Sequence, residues 1–207
     1  VFYCRFERKN LIYAKKEADS RKEKLRLVKR YLKKYDPHRT VIYCNTRKAV
    51  EGVSAELEKK YPGQVGRYHS GLSAKEKTHQ QTQFCTGVHT IIVATSAFGM
   101  GIGLPDINLV IHFNMPFSIN DYIQQTGRAG RDGGKAHCIL LYSEEDYWTA
   151  STMVEPYENV RLNNSLRQMI AYCEDREHCL KHLMSEALGQ ASGKKCRFCT
   201  NCQAGRR

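Results

Sequence analysis

Residues 91–133 read IIVATSAFGMGIGLPDINLVIHFNMPFSINDYIQQTGRAGRDG, and the fold follows from how this stretch is parsed. An apolar run, residues 91–94, ends at Thr95 and passes into a turn punctuated by Gly99, Gly101 and Gly103. A second apolar run, residues 109–111, leads to a helical segment that Ser118 opens and Gly127 closes. Short apolar runs bounded by turn residues and separated by helix-length segments mark strands buried on both faces of a parallel sheet. The stretch ends in Gly127-Arg128-Ala129-Gly130-Arg131. Two arginines three residues apart, each behind a glycine, can reach one anionic target, and the planar guanidinium fork suits phosphate oxygens. On spacing alone the same residues also fit a surface loop with two solvated arginines.

The pattern repeats on either side. Residues 41–44, 65–69, 108–113 and 138–142 read as strands, and residues 11–14 as a short edge strand. Leu25, Val28, Leu32 and Tyr35 form one helical stripe that Pro37 stops. Asn45 or Thr46 caps a helix with Val50, Val53 and Leu57 inward, and Ser73 with Glu76 has capping-box spacing for a helix over 74–84. Strands alternating with helices of 10–15 residues predict an α/β fold, a mostly parallel sheet flanked by helices. Such sheets bind ligands beyond the carboxyl ends of their strands. Asn45 and Thr46, Ser70 and Gly71, and Thr95 all fall there, so they form one candidate face.

After Glu144 no strand signal remains. Apolar stripes at Leu162, Leu166, Met169 and Cys173, and at Leu180, Leu183, Met184 and Leu188, predict two helices. The boundary is expected near residues 143–150. That gives a linker over 1–10, an α/β lobe over 11–148 and a small helical domain over 149–207.

The 207 residues are 41% hydrophobic and 26% charged, a globular composition. No apolar run approaches the roughly 20 residues that span a bilayer, so no membrane partner is expected. The first ten residues have charges with no apolar core behind them, and no secretory signal is expected. The absent initiator Met and the ending Gly205-Arg206-Arg207 suggest a piece of a longer protein. The net charge of +12 is uneven: residues 1–40 carry +9, 161–207 carry +5, and 41–160 carry −2. Phosphate backbones are the natural partner of such excess, although the basic run over 15–34 reads rather as a solvated helix face.

Nine cysteines without a secretory signal point to a reducing compartment and to metal binding. Cys196, Cys199 and Cys202 form C-x2-C-x2-C, with sixteen residues between Cys179 and Cys196. Four thiolates suit tetrahedral zinc, and metal binding would stabilise a segment with little apolar content. Cys173, His178 and His182 are close enough to substitute, and an iron–sulfur cluster is an alternative, though the ferredoxin-type run needs a fourth cysteine and a proline that are absent. Cys4, Cys44, Cys85 and Cys138 read as ordinary thiols.

Three motifs together, VATSAFGMGI (93–102), QQTGRAGRDG (124–133) and the cysteine set, resemble the RecQ family of ATP-dependent DNA helicases. The resemblance runs from about Phe6 to Cys202 and includes Phe6, Arg8 and Asn10 of a linker pattern, with Lys9 in place of its proline. It departs where the family usually has Asp at Gly103 and Glu at Gln125. The resemblance implies the second RecA-like lobe of a 3′-to-5′ helicase of recombination and repair, followed by a zinc module whose C-x16-C-x2-C-x2-C spacing is the one present here. By the same resemblance, Arg128 and Arg131 are arginine fingers and Gln124 orients the site. Gly101, Gly103 and Gly127 join the two arginines around the nucleotide. Asn45, Thr46, Ser70, Gly71 and Thr95 hold DNA phosphates, and Cys179, Cys196, Cys199 and Cys202 hold zinc. ATP with magnesium would be held mainly by a first lobe, because no G-x-x-x-x-G-K-[ST] loop occurs in these residues. Expected partners are DNA and that first lobe, in the cytoplasm or nucleoid of a bacterium or the nucleus of a eukaryote. Two rival readings are a non-catalytic zinc-containing nucleic-acid-binding module and a motor that moves on RNA.

Overall fold

The computed structural model describes residues 8–99, 106–154, 160–190 and 194–204. Gly101, Gly103, Phe6 and Cys4 lie outside this set, as does the side chain of Leu162. Six parallel strands form one sheet in the order β1-β6-β5-β2-β4-β3. They are β1 (Leu11–Glu17), β2 (Thr40–Tyr43), β3 (Val65–Tyr68), β4 (Ile91–Ala94), β5 (Leu109–His112) and β6 (Ala136–Tyr142). The helices are α1 (Arg21–Tyr35), α2 (Arg47–Glu58), α3 (Ala74–Thr86), α4 (Ile119–Thr126), α5 (Glu144–Val154), α6 (Val160–Glu174), α7 (Leu180–Ala187) and α8 (Thr200–Ala204).

Alternation along each strand divides the core in two. Ile42, Val93, Leu109, Ile111 and Ile139 face one way, against Val28 and Leu32 of α1 and Val50, Val53 and Leu57 of α2. Val41, Tyr43, Ile92, Val110 and Leu140 face the other, in a cluster that continues through Tyr122 of α4 into Met169, Tyr172 and Leu180. Every residue of β2, β4 and β5 is buried, as continuous apolar strands covered on both faces require.

The caps follow the sequence. Ser20, Thr46, Ser73 and Ser118 each accept the N–H of the third residue of α1, α2, α3 and α4, and Ser73 with Glu76 completes a capping box. Thr46, rather than Asn45, is the cap of α2.

Three elements go beyond the sequence reading. The edge strand β1 extends to Glu17 instead of stopping at Ala14, because residues 11–17 pair with all of β6. Its Lys15 is buried: the ammonium donates to the carbonyls of Tyr172 (2.6 Å), Cys173 (2.9 Å) and Asp175 at the end of α6, where a cation complements the helix dipole. Helix α5 begins at Glu144 and runs through residues 144–150, where a boundary is expected. Its first turn holds Glu144, Glu145 and Asp146, and the Asp146 carboxylate accepts from the N–H of Ser143 (3.2 Å) and pairs with buried Lys24 at 2.6 Å. Helix α8 is the third addition. Among the described residues, no helix is long and apolar enough to cross a membrane.

Candidate functional site

Register at the carboxyl edge of the sheet sets the site. Tyr43 of β2 and Tyr68 of β3 both pair with Ala94 of β4, so the next residues of three strands emerge side by side. Backbone bonds extend the alignment: Cys44 N–H donates to the Ala94 carbonyl (2.8 Å), and Thr95 N–H to the Tyr68 carbonyl (3.0 Å). The result is an open groove of about 670 Å³ lined by Asn45, Thr46, Arg47, Ser70, Thr95, Ser96, Ala97, Asp121 and Gln124. Four of the five residues expected to hold phosphates line it, and Gly71 is adjacent, its N–H donating to Nδ1 of His69 (3.2 Å).

The groove is polar and partly pre-formed. Asn45 Nδ2 donates to the Met115 carbonyl (2.8 Å), which orients its amide. Thr46 Oγ1 accepts from Ala49 N–H (3.1 Å) at the start of α2, so that helix N-terminus opens into the groove. Arg47 donates from Nε and Nη2 to the Ser70 hydroxyl (3.2 and 2.9 Å), and Lys77 to the Ser70 carbonyl (3.1 Å). His69 Nδ1 accepts from Gly71, so its Nε2 carries the proton that faces Glu51 at 2.8 Å. Arg47 escaped the sequence reading because arginine in a first helical turn is common on solvated surfaces. Its placement one residue past an N-cap at a strand end was the available signal.

The two arginines differ in placement. Arg128 is only 7% exposed and donates from Nη1 to the Gly99 carbonyl, while Arg131 is exposed beyond the turn. Gly99 has φ +92, and a Cβ there would lie 2.8–3.0 Å from the guanidinium, so both backbone and space demand glycine. Arg128 Nε and the Tyr43 hydroxyl are buried without a hydrogen-bond partner, and no carboxylate pairs with Arg128 among the described residues. Burial pushes the Tyr43 hydroxyl up to about 12, against the opposing charge of Arg128. Behind the loop, His112 Nε2 and Gln125 Oε1 are 2.7 Å apart in the core, and burial drives the imidazole down to about 4. Gln124 is exposed at the groove, on the opposite face of α4 from Gln125.

The four cysteines converge. The sulfurs of Cys179, Cys196, Cys199 and Cys202 all lie within 4.8 Å of one another, a separation that suits one metal ion. Cys196 N–H donates to Cys179 Sγ and Cys199 N–H to Cys196 Sγ, each at 3.4 Å, which favours thiolate over thiol. Hydrogen bonds from the Cys196 and Cys199 side chains hold Cys179 far below the usual thiol range. The rivals for ligation are placed elsewhere. Cys173 is buried in the core, its thiol pushed up by burial, and His178 is exposed with Nδ1 2.7 Å from Asp175. His182 stays outside the four-residue set.

Comparison with known proteins agrees with both halves. The helicase conserved C-terminal domain matches residues 23–133, and the RecQ zinc-binding domain matches residues 144–203. Among solved structures, an E. coli DEAD-box protein, SrmB, shares the fold with TM-score 0.60 at 23% identity, over 72% of this chain and 85% of that one. The class is therefore that of helicase C-terminal lobes, with a RecA-like parallel sheet. Curated relatives narrow it. The ATP-dependent DNA helicase hus2/rqh1 of Schizosaccharomyces pombe is 36% identical over 89% of this chain and 14% of its own length. ATP-dependent DNA helicase Q1 of mouse is 35% identical over 98% of this chain and 31% of its own, and RecQ of Bacillus subtilis 33% over 97% and 34%. The chain belongs to the RecQ family of helicases, as their C-terminal region. It spans about a third or less of the length of these relatives.

Proposed function

We propose that this chain is one half of an ATP-driven motor: the second lobe and metal module of a 3′-to-5′ DNA helicase of recombination and repair. The observation that carries this reading is the shared sheet edge. A polar groove adjoins a loop that holds one buried guanidinium, with no carboxylate partner among the described residues, and one exposed one. A cation removed from water without a counter-charge is costly, and a polyphosphate would supply that charge.

The groove would hold one DNA strand through Asn45, Thr46, Ser70, Gly71 and Thr95. These hydroxyl, amide and backbone groups contact phosphates without reading bases, as a motor that steps over any sequence requires. MgATP would supply the free energy of each step and be held mainly by the first lobe. Here Arg128 and Arg131 would neutralise charge at its terminal phosphate, Gly127 would permit close approach, and Gln124 would link nucleotide to groove. Gly101 and Gly103 extend that assignment to residues outside those described. Cys179, Cys196, Cys199 and Cys202 would bind one zinc ion as a structural centre, since four thiolates leave no open position for substrate.

The test is DNA-stimulated ATP hydrolysis by the full-length protein. Arg131→Ala, at an exposed position, and Arg128→Ala should each lower kcat by about 10³-fold while leaving DNA affinity intact. Unchanged turnover in both would remove the finger assignment and favour a non-catalytic nucleic-acid-binding module. Stronger stimulation by RNA than by DNA would reassign the track.

A further inference from the structure

The residues that lead into β1 do more than connect. Arg8 donates to the carbonyls of Gly127 (3.3 Å), Ala129 (2.9 Å) and Gly130, and Asn10 Nδ2 donates to those of Gly130 (2.8 Å) and Gly134 (2.8 Å). Two side chains thus grip four carbonyls of the arginine loop, far away in sequence. The fit is close. Gly130 has φ +55, and a Cβ there would lie 2.6 Å from Asn10 Nδ2 and 2.7 Å from the Gly134 carbonyl. Any other residue would push the grip apart.

The grip is itself held from the opposite side. Lys181 Nζ donates to the carbonyl of Arg8 (2.8 Å) and lies over the Tyr13 ring, 5.9 Å from its centroid. Lys181 is the second residue of α7, whose N-cap is Cys179 of the cysteine cluster. A continuous path of hydrogen bonds and chain therefore runs from the cluster through α7 and Lys181 to Arg8, and from Arg8 to the loop that bears Arg128 and Arg131. A path by itself does not show coupling, which requires that one end change when the other does.

We propose that Arg8, Asn10 and Lys181 are positioning residues that make the geometry of the arginine loop depend on the metal module. Formation of the cysteine cluster fixes the start of α7, which fixes Lys181 and the backbone of Arg8, and the loop carbonyls are then held in one arrangement. Loss of the metal therefore loosens the loop. The consequence for turnover rests on the helicase reading above; the consequence for the order of the loop does not.

The experiment uses full-length protein and reads amide hydrogen exchange over residues 127–134, DNA-stimulated ATPase and zinc content. Arg8→Gln, Asn10→Ala and Lys181→Met should each speed exchange of the loop roughly 5-fold, the effect of one ordinary hydrogen bond, without changing exchange in β4. Each should lower kcat about 2- to 30-fold with KM for ATP and zinc content unchanged, the range for residues that modulate a site without touching its ligand. Chelation of zinc should reproduce the faster exchange in the wild-type protein and add little in Lys181→Met. Unchanged loop exchange in the three variants would overturn the proposal, and so would loss of zinc in Lys181→Met, which would make that lysine a residue of module folding. If exchange responds as expected while wild-type protein shows no DNA-stimulated ATPase, the coupling stands and the motor assignment falls.

Discussion

Arg128 and His112 are both buried on the inner side of the sheet edge, and the fold treats their charges oppositely. Arg128 turns its guanidinium toward the Gly99 carbonyl. His112 gives its charge up: burial lowers it to about 4, from an ordinary value near 6.5, and Gln125 Oε1 accepts from the Nε2–H of the neutral ring. The depressed value makes the pH dependence calculable. Between pH 6.5 and 4 the unfolded chain binds a proton at this site that the folded chain does not, so stability falls as pH drops through that window and is unaffected above it. The full loss below pH 4 is roughly 3 kcal/mol. Urea unfolding of wild type and His112→Asn across this range should show the variant losing less stability by about that amount, with equal slopes above pH 7. These residues show what sequence can and cannot tell. Gly127, Arg128 and Arg131 are visible as a spacing. That Arg128 points inward depends on Gly99, twenty-nine residues away, and on a left-handed backbone that no periodicity reveals.

At the level of elements, the sequence is most informative where local chemistry alone sets a boundary. The Ser73 hydroxyl accepts from Glu76 N–H (3.2 Å) and the Glu76 carboxylate accepts from Ser73 N–H (2.8 Å), as S-x-x-E spacing predicts. Ser73→Ala should cost about 1 kcal/mol in urea unfolding with the denaturant slope unchanged, and amide exchange should quicken in the first turn of α3 alone. Elements set by partners are harder to read. β1 reaches Glu17 because β6 offers it seven residues to pair with. α5 lies where the loss of strand signal puts a boundary, and its start depends on Asp146 meeting Lys24 from α1. The candidate groove was legible as strand ends. Its third side, Asp121 and Gln124, comes from α4 and needed the tertiary fold.

The whole molecule is less divisible than two domain matches suggest. The core cluster that includes Val41, Val110 and Leu140 continues without a break into Met169, Tyr172, Cys173, Leu180 and Cys199. Tyr13, Tyr122 and Tyr172 form a chain of ring contacts across the junction, with centroids 6.2 and 5.4 Å apart. The continuous core predicts one shared unfolding transition for the sheet and the C-terminal helices. Cys199→Ser should reduce zinc from about one ion per chain, measured by elemental analysis, and calorimetry should show the sheet's own melting temperature falling with it. A lobe transition that stays in place after metal loss would refute this. The same junction has a consequence for the edge of the sheet. On its free side β1 meets the module, through Lys15 N–H donating to Thr200 Oγ1 (3.3 Å) and the Lys15 side chain reaching the end of α6. Without that cover, the amides and carbonyls of a seven-residue apolar-to-basic strand would stand open as a template for another chain. Four cysteines would then guard solubility as well as shape: a chain stripped of its metal would be lost to self-association at concentrations where the loaded chain stays dispersed.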